Sequence, residues 1–346
     1  MRGLILLWAF LSAAPVFAEK PDVIRGPGDT QYHTGFLHKE QEKRQFGNLN
    51  FVPKQKLVSL IPDEYDSRTE NVVPDIRNQG SCGSCWAFAM TKSFESALLQ
   101  SGRSLDLAEQ DWLVNDSSAY GCSGGFMNGT YAVEKGQALE ADCPYKANDS
   151  YTCRAVKAAK ASRWAFVGAR GRAPTNEELK LAIMQYKVVT VTVAAGLGFS
   201  NVGDDGVINS CASRTINHMV NIVGWHSDGR FILANSWGKG WGQGGYGFIA
   251  QGCNRLASTV DSALVIVAET GPAPQPPRAQ LPSEVHVQKG IEVMLGVRSE
   301  TGVTYKWSNG ETGSMIYVNP LEETIYTLTA VGPNGTTESA VKVVPE

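Results

Sequence analysis

The run Asn78-Gln79-Gly80-Ser81-Cys82-Gly83-Ser84-Cys85-Trp86-Ala87-Phe88 constrains this chain more than any other stretch. Small and polar residues up to Ser84 read as a loop. Beyond Cys85 the apolar positions Ala87, Met90, Phe94, Ala97 and Leu98 fall on one helical face. Ser101-Gly102 ends the helix, with glycine in its usual C-terminal place. Cys85 therefore sits in the first turn of an amphipathic helix. Unpaired N–H groups and the helix dipole there favour an anion. That stabilises a thiolate, the reactive form of cysteine.

Export fits the rest of the chain. Arg2 precedes the apolar run Leu4–Leu11, and small residues lead to Val16-Phe17-Ala18. This is the layout of a secretory signal peptide over 1–18, too short to span a bilayer as a stable helix. Seven cysteines suit an oxidising compartment, and the odd count leaves one thiol over. If Cys85 is that thiol, Cys82, Cys122, Cys143, Cys153, Cys211 and Cys253 remain, with several pairings open. A chain of 346 residues, 42% hydrophobic, can form more than one domain. Its net charge of −3 gives no basic footprint for nucleic acid. No later segment reads as a membrane span, and a monomer is expected.

Residues 19–60 are polar and irregular, with Lys39-Glu40-Gln41-Glu42-Lys43-Arg44, and read as a short pro-segment. A catalytic unit is expected over 61–269. Gly271-Pro272-Ala273-Pro274-Gln275-Pro276-Pro277 marks a stiff linker over 270–280. Over 281–346, alternation at Val303, Tyr305 and Trp307 and again at Tyr326, Leu328 and Ala330 brackets the turn signals Asn309-Gly310 and Asn334-Gly335. That pattern predicts a small immunoglobulin-like β-sandwich. A module of this kind is expected to serve a surface or secretion partner.

A thiolate needs a base that keeps it ionised and later protonates a leaving amine. Of the five histidines, His33 and His38 lie in the pro-segment and His286 in the C-terminal module. His226 adjoins the turn Ser227-Asp228-Gly229, whereas His218 opens the strand-like run Met219–Trp225. His218 is the predicted base. The next strand-like run, Arg230–Ala234, ends at Asn235, and a hairpin returns Asn235 beside His218. Its amide oxygen can hold one imidazole tautomer. No His, Cys or carboxylate cluster has metal-ligand spacing, so no metal and no cofactor is expected.

The segment from about Ile61 to Val267 resembles the papain-like cysteine proteases. The resemblance rests on Gln-Gly-Ser-Cys-Gly-Ser-Cys-Trp from Gln79, Gly-Cys-Ser-Gly-Gly from Gly121, Asn217-His218, and Asn-Ser-Trp-Gly-Lys-Gly-Trp-Gly from Asn235, in the family's order and spacing. It implies an α+β fold with a helical lobe and a β-barrel-like lobe, and endopeptidase activity on proteins or peptides. Cys85, His218 and Asn235 would be the catalytic residues, with Gln79 and the Cys85 N–H holding the oxyanion. Trp237 would shield the His218–Asn235 bond, and Trp241 would flank the leaving-group side. Gly124 and Gly125 would pair with substrate backbone. Phe126, Met127, Ile216 and Met219, with Thr192, would form an apolar S2 pocket, narrowed by Met219 where most relatives have alanine.

The resemblance also implies the disulfides Cys82–Cys122 and Cys211–Cys253. The usual partner of Cys153 is missing from Val114-Asn115-Asp116, so a local Cys143–Cys153 bridge is expected. Leu107-Ala108-Glu109-Gln110 lacks the family's serine helix cap, a loss of about 1 kcal/mol unless Asp106 substitutes. No histidine-rich insertion supports exopeptidase action. The pro-segment is too short for the long helical inhibitory pattern common in the family.

Overall fold

The computed structural model describes residues 22–37, 61–209, 211, 215–269, 279–299, 303–332 and 335–346. The leader expected at 1–18, the charged run 39–44, the proline-rich stretch 271–277 and Asn334 lie outside the described residues. Among the described residues no helix is long and apolar enough to cross a membrane.

The first described segment is a hairpin, with β1 (Val23–Arg25) antiparallel to β2 (Gln31–His33). The expectation of an irregular 19–60 is corrected over residues 23–33. Strands of three residues are too short to show a period in sequence, and Gly28 supplies the turn at φ 62°. After β3 (Tyr65–Asp66) come α1 (Cys85–Gln100), α2 (Glu109–Asn115) and α3 (Thr130–Glu134). A short ladder of β4 (Gln137–Ala138) and β5 (Lys157–Ala159) follows.

Helix α1 starts and stops as the spacing predicts. Gly102, at φ 77°, lets its own N–H and that of Arg103 reach the carbonyls of Leu99 and Leu98. It is more deeply set than an amphipathic surface helix, since every residue from Cys85 to Leu98 is buried. Its polar face is matched from the sheet: Ser93 and Thr190 hydroxyls meet at 2.7 Å, and Asn221 donates to Ser93. Asp106 does not cap α2. It pairs with Arg77, and Ala108 stands at the N-cap without a side-chain bond.

The other half comprises β6 (Ala161–Phe166), α4 (Asn176–Tyr186), β7 (Val189–Val193), α5 (Leu197–Ser200), β8 (Val207–Ile208), β9 (His218–Trp225), β10 (Phe231–Ala234), β11 (Tyr246–Ile249) and β12 (Ala263–Ala268). They form one sheet in the order β6-β12-β7-β9-β10-β11-β8, with β3 paired to β9. Strands β7 and β9 are buried along their whole lengths. One core gathers around α1, with Trp86, Phe94, Leu98 and Trp112; another lies against the sheet, with Phe199, Phe231, Leu233 and Trp241.

The disulfides join Cys82 to Cys122, Cys143 to Cys153 and Cys211 to Cys253, leaving Cys85 free. Asn115, in the run that lacks the usual cysteine, donates to the Cys153 carbonyl at 3.0 Å and to Asp111 at 2.7 Å. A polar tie thus accompanies the local bridge.

The C-terminal module has β13 (Glu284–Val287), β14 (Val293–Gly296), β15 (Thr304–Trp307), β16 (Met315–Val318), β17 (Thr324–Gly332) and β18 (Gly335–Pro345). A sheet in the order β13-β18-β17-β15 and the β14–β16 pair share a core of Leu295, Trp307, Ile316, Leu328 and Val341. This is the two-layer packing that the alternating pattern predicts.

Candidate active site

Two elements meet at the site. Helix α1 delivers Cys85 at its first residue, and β9 delivers His218 at its first residue. Strand β10 returns antiparallel to β9, with Ala234 opposite Asn221, and so carries Asn235 back to the start of β9. His218 Nε2 lies 2.8 Å from Asn235 Oδ1. That oxygen also accepts the Ser236 N–H at 2.8 Å, which fixes the amide orientation. Nε2 must then carry the proton, because the oxygen it faces can only accept. Nδ1 keeps its lone pair and, among the described residues, has no hydrogen-bond partner.

Trp237 stacks on the His218 ring, with centroids 4.7 Å apart, and excludes water from the His218–Asn235 bond. Phe199 closes the same side edge-on to both rings. Trp241, expected at the leaving-group side, is buried against Trp237, edge-on at 5.9 Å, and donates its indole N–H to the Phe199 carbonyl.

Gln79 is buried. Its Oε1 accepts the Ser236 hydroxyl at 2.6 Å, and its Nε2 donates one N–H to the Cys82 carbonyl at 2.9 Å. An amide nitrogen has a second N–H. The Gln79 backbone is tied as well, its N–H to the Ser236 carbonyl at 2.8 Å and its carbonyl to the Tyr145 hydroxyl at 2.8 Å. Tyr145 also meets Ser84 Oγ at 2.6 Å, one residue before the nucleophile helix. Ser236 and Tyr145 escaped the sequence reading in these roles. Ser236 adjoins Asn235 in a quoted motif, but Tyr145 carries no local signal.

The cleft is filled by the chain itself. Gly35 and Phe36 donate their N–H groups to the Asn217 carbonyl, at 3.2 and 2.9 Å. Gly125 donates to the Gly35 carbonyl at 2.8 Å, and Leu37 donates to the Gly125 carbonyl at 3.1 Å. Phe36 and Gly125 thus form a parallel bridge. A Cβ on Gly124 would meet the Gly35 oxygen at 2.7 Å, and one on Gly125 would meet Trp86 at 2.4 Å. On the other side Tyr32 stacks on Trp237 at 4.6 Å, and Trp237 donates to the His33 carbonyl. Asn217 donates to Asp22 at 2.7 Å.

Phe36 is buried in one apolar cluster with Met127, Ile216 and Met219. Thr192 faces Met219 across the β7–β9 ladder. Phe126 stands edge-on to Tyr120 instead, at 5.9 Å. His226 lies against Phe248, and its neighbourhood is the Asp66–Arg68 pair, not the cleft.

Burial sets the electrostatics. Burial pushes the Cys85 thiol up to about 12, against hydrogen bonds from the backbone of Met219, Trp86 and Gly35. Burial pulls His218 down to about 4, against its bond to Asn235. The helix terminus alone does not hold a thiolate here. In this closed form burial favours the neutral form of both groups.

The family description "Papain family cysteine protease" matches residues 61–267. The chain is 34% identical to ananain of Ananas comosus over 221 residues, which is 60% of this chain and 59% of ananain. It is 30% identical to mouse cathepsin K over 251 residues, 67% of this chain and 75% of that protein. The chain therefore spans only about three-fifths of ananain's own length. Among solved structures it is similar to digestive procathepsin L 3 of Tenebrio molitor larval midgut. That match has a TM-score of 0.54 and 29% identity, covering 64% of this chain and 74% of the other.

Proposed function

The chain belongs to the papain family of cysteine proteases, and from that premise we propose that it is a secreted cysteine endopeptidase, held latent by residues 22–37. The observation that carries the reading is the His218 tautomer. Asn235 holds the proton on Nε2, leaving the Nδ1 lone pair to take the proton of a thiol.

In the opened site His218 Nδ1 takes the Cys85 proton. The thiolate sulfur adds to a peptide carbonyl carbon, and the second N–H of Gln79 and the Cys85 backbone N–H stabilise the oxyanion. The C–N bond breaks as His218 returns its proton to the amine, leaving a thioester. His218 then deprotonates water, which attacks the thioester carbonyl. The acid departs and Cys85 regains its proton.

Latency follows from how residues 32–37 lie. The Gly35 carbonyl is engaged by the Gly125 N–H. The segment passes Trp237 on one side and Gly125 on the other, so the cleft accommodates a chain that continues both ways. That supports endopeptidase action. The burial of Phe36 with Met127, Ile216 and Met219 supports an apolar S2 preference. The catalytic unit is read as 61–269. The module at 281–346 is read as an attachment module for a surface or the secretion machinery.

The test is intact mass after an epoxysuccinyl thiol label at mildly acidic pH, on protein freed of its N-terminal segment. One adduct, absent from Cys85→Ala and accompanied by loss of peptide hydrolysis, is expected. Peptide hydrolysis that persists in Cys85→Ala would overturn the reading.

A further inference from the structure

Lys92 lies on α1 two turns past Cys85 and is buried. A buried ammonium costs several kcal/mol of desolvation unless donors and charges compensate. Here Nζ donates to the Pro74 carbonyl at 2.9 Å and to the Asp75 carbonyl at 2.6 Å. Glu95 on α1, Glu109 on α2, and Asp75 and Arg77 on the loop are the charged groups that act on it. Methionine, of similar length, would fill the place with no charge to bury, so the ammonium's distinctive act is the clamp on two carbonyls.

The clamped segment leads to the oxyanion donor. From Asp75 the chain runs through Arg77, whose carbonyl accepts the Gly238 N–H at 3.0 Å. Asn78 then bridges Trp237, and Gln79 bonds Ser236 through both backbone and side chain. A small cavity lined by Arg77, Lys92, Glu95, Glu109, Asn235 and Ser236 connects the ammonium's surroundings to the catalytic asparagine. An oxyanion hole works only if its donors converge on one oxygen. One donor, the Cys85 N–H, belongs to α1, and the other, Gln79, belongs to the loop.

We propose that Lys92 is a positioning residue: by tying the Pro74 and Asp75 carbonyls to the nucleophile's own helix, it sets the Gln79 amide relative to the Cys85 N–H. This rests on the peptidase reading. The other ties to Gln79 remain without Lys92, so its loss loosens the oxyanion hole and does not abolish it. Burial also lowers the ammonium to about 8, so the clamp fails on the alkaline side. An arginine, charged throughout, keeps it.

The test is a double-mutant cycle of Lys92→Met and Gln79→Ala in the full chain carrying Gly35→Val, expected to open the cleft in every variant. An epoxysuccinyl label counts open sites. Lys92→Met is expected to lower kcat about tenfold with KM within about twofold, leaving the rate of alkylation by iodoacetamide, which needs no oxyanion hole, unchanged. Lys92→Arg should restore most of kcat and extend its alkaline limb. In the Gln79→Ala background Lys92→Met should change kcat less than about twofold. An unchanged kcat in Lys92→Met, or its full loss repeated in the Gln79→Ala background, overturns the proposal. An unchanged kcat in Gln79→Ala overturns the oxyanion reading beneath it. Should Lys92→Met not fold, the same cycle is run with Lys92→Gln.

Discussion

Gly35 lies so close to Gly83 that a Cβ on it would sit 2.0 Å from the Gly83 carbonyl oxygen. Gly83 belongs to the loop two residues before Cys85. The N-terminal segment thus crosses the nucleophile loop at a point where only glycine fits, and the obstacle is rigid backbone.

Gly35→Val should therefore release the cleft. Labelling of Cys85 in the unprocessed full chain is expected to rise at least about tenfold, corresponding to about 1.4 kcal/mol or more of lost docking. Stopped labelling time courses read by intact mass check this. Equal rates in the two proteins would show that the segment is not the lock.

Acid should loosen the closed form. His218 is pulled from 6.5 to about 4 by burial, so its contribution is fully present above pH 6.5 and is lost as pH falls towards 4. The loss is on the order of 3 kcal/mol. The Cys85 thiol is raised from 9.0 to about 12, so its contribution holds below pH 9 and is lost as pH rises through 9 to 12. Susceptibility of the segment to an added protease, measured in Cys85→Ala from pH 4 to 8, isolates the histidine limb and should fall as pH rises to about 6.5. A profile flat from pH 4 to 8 contradicts that linkage.

Gln79→Ala should reduce kcat by about 10²–10³ while Cys85 still reacts with iodoacetamide. Steady-state kinetics on activated protein, with sites counted by the label, separate these two effects. Proportional loss of both would place Gln79 in the fold and not in oxyanion binding.

The Phe36 pocket should discriminate against charge. A peptide with phenylalanine at the S2 position is expected to be cleaved with a kcat/KM at least about 100-fold above its arginine counterpart. A buried unpaired guanidinium finds no carboxylate among Met127, Ile216 and Met219. Competition between the two peptides, read by mass spectrometry, gives the ratio. Near-equal cleavage would remove the apolar preference.

Ser236, Tyr145 and Lys92 act on Gln79 across the fold, so no local spacing announces them. The burial of Trp241 against Trp237 was hidden for a related reason. A tryptophan looks alike in sequence whether it lines a rim or packs one layer behind it. Asp106 shows the same limit, since Arg77 competes for it in space.

Several features were legible because their causes are local. The 3.6-residue spacing after Cys85, the glycine at 102 and the paired runs around His226 specify a helix, its end and a hairpin. Those elements place Cys85 and His218 at their starts and return Asn235 beside His218. What tertiary structure alone decided is the state of that site. Helix position favours a thiolate, yet the surroundings that bury Cys85 and His218, drawn from segments remote in sequence, favour the neutral form of both. Desolvation depends on what fills the surrounding space, and no residue's neighbours along the chain encode that.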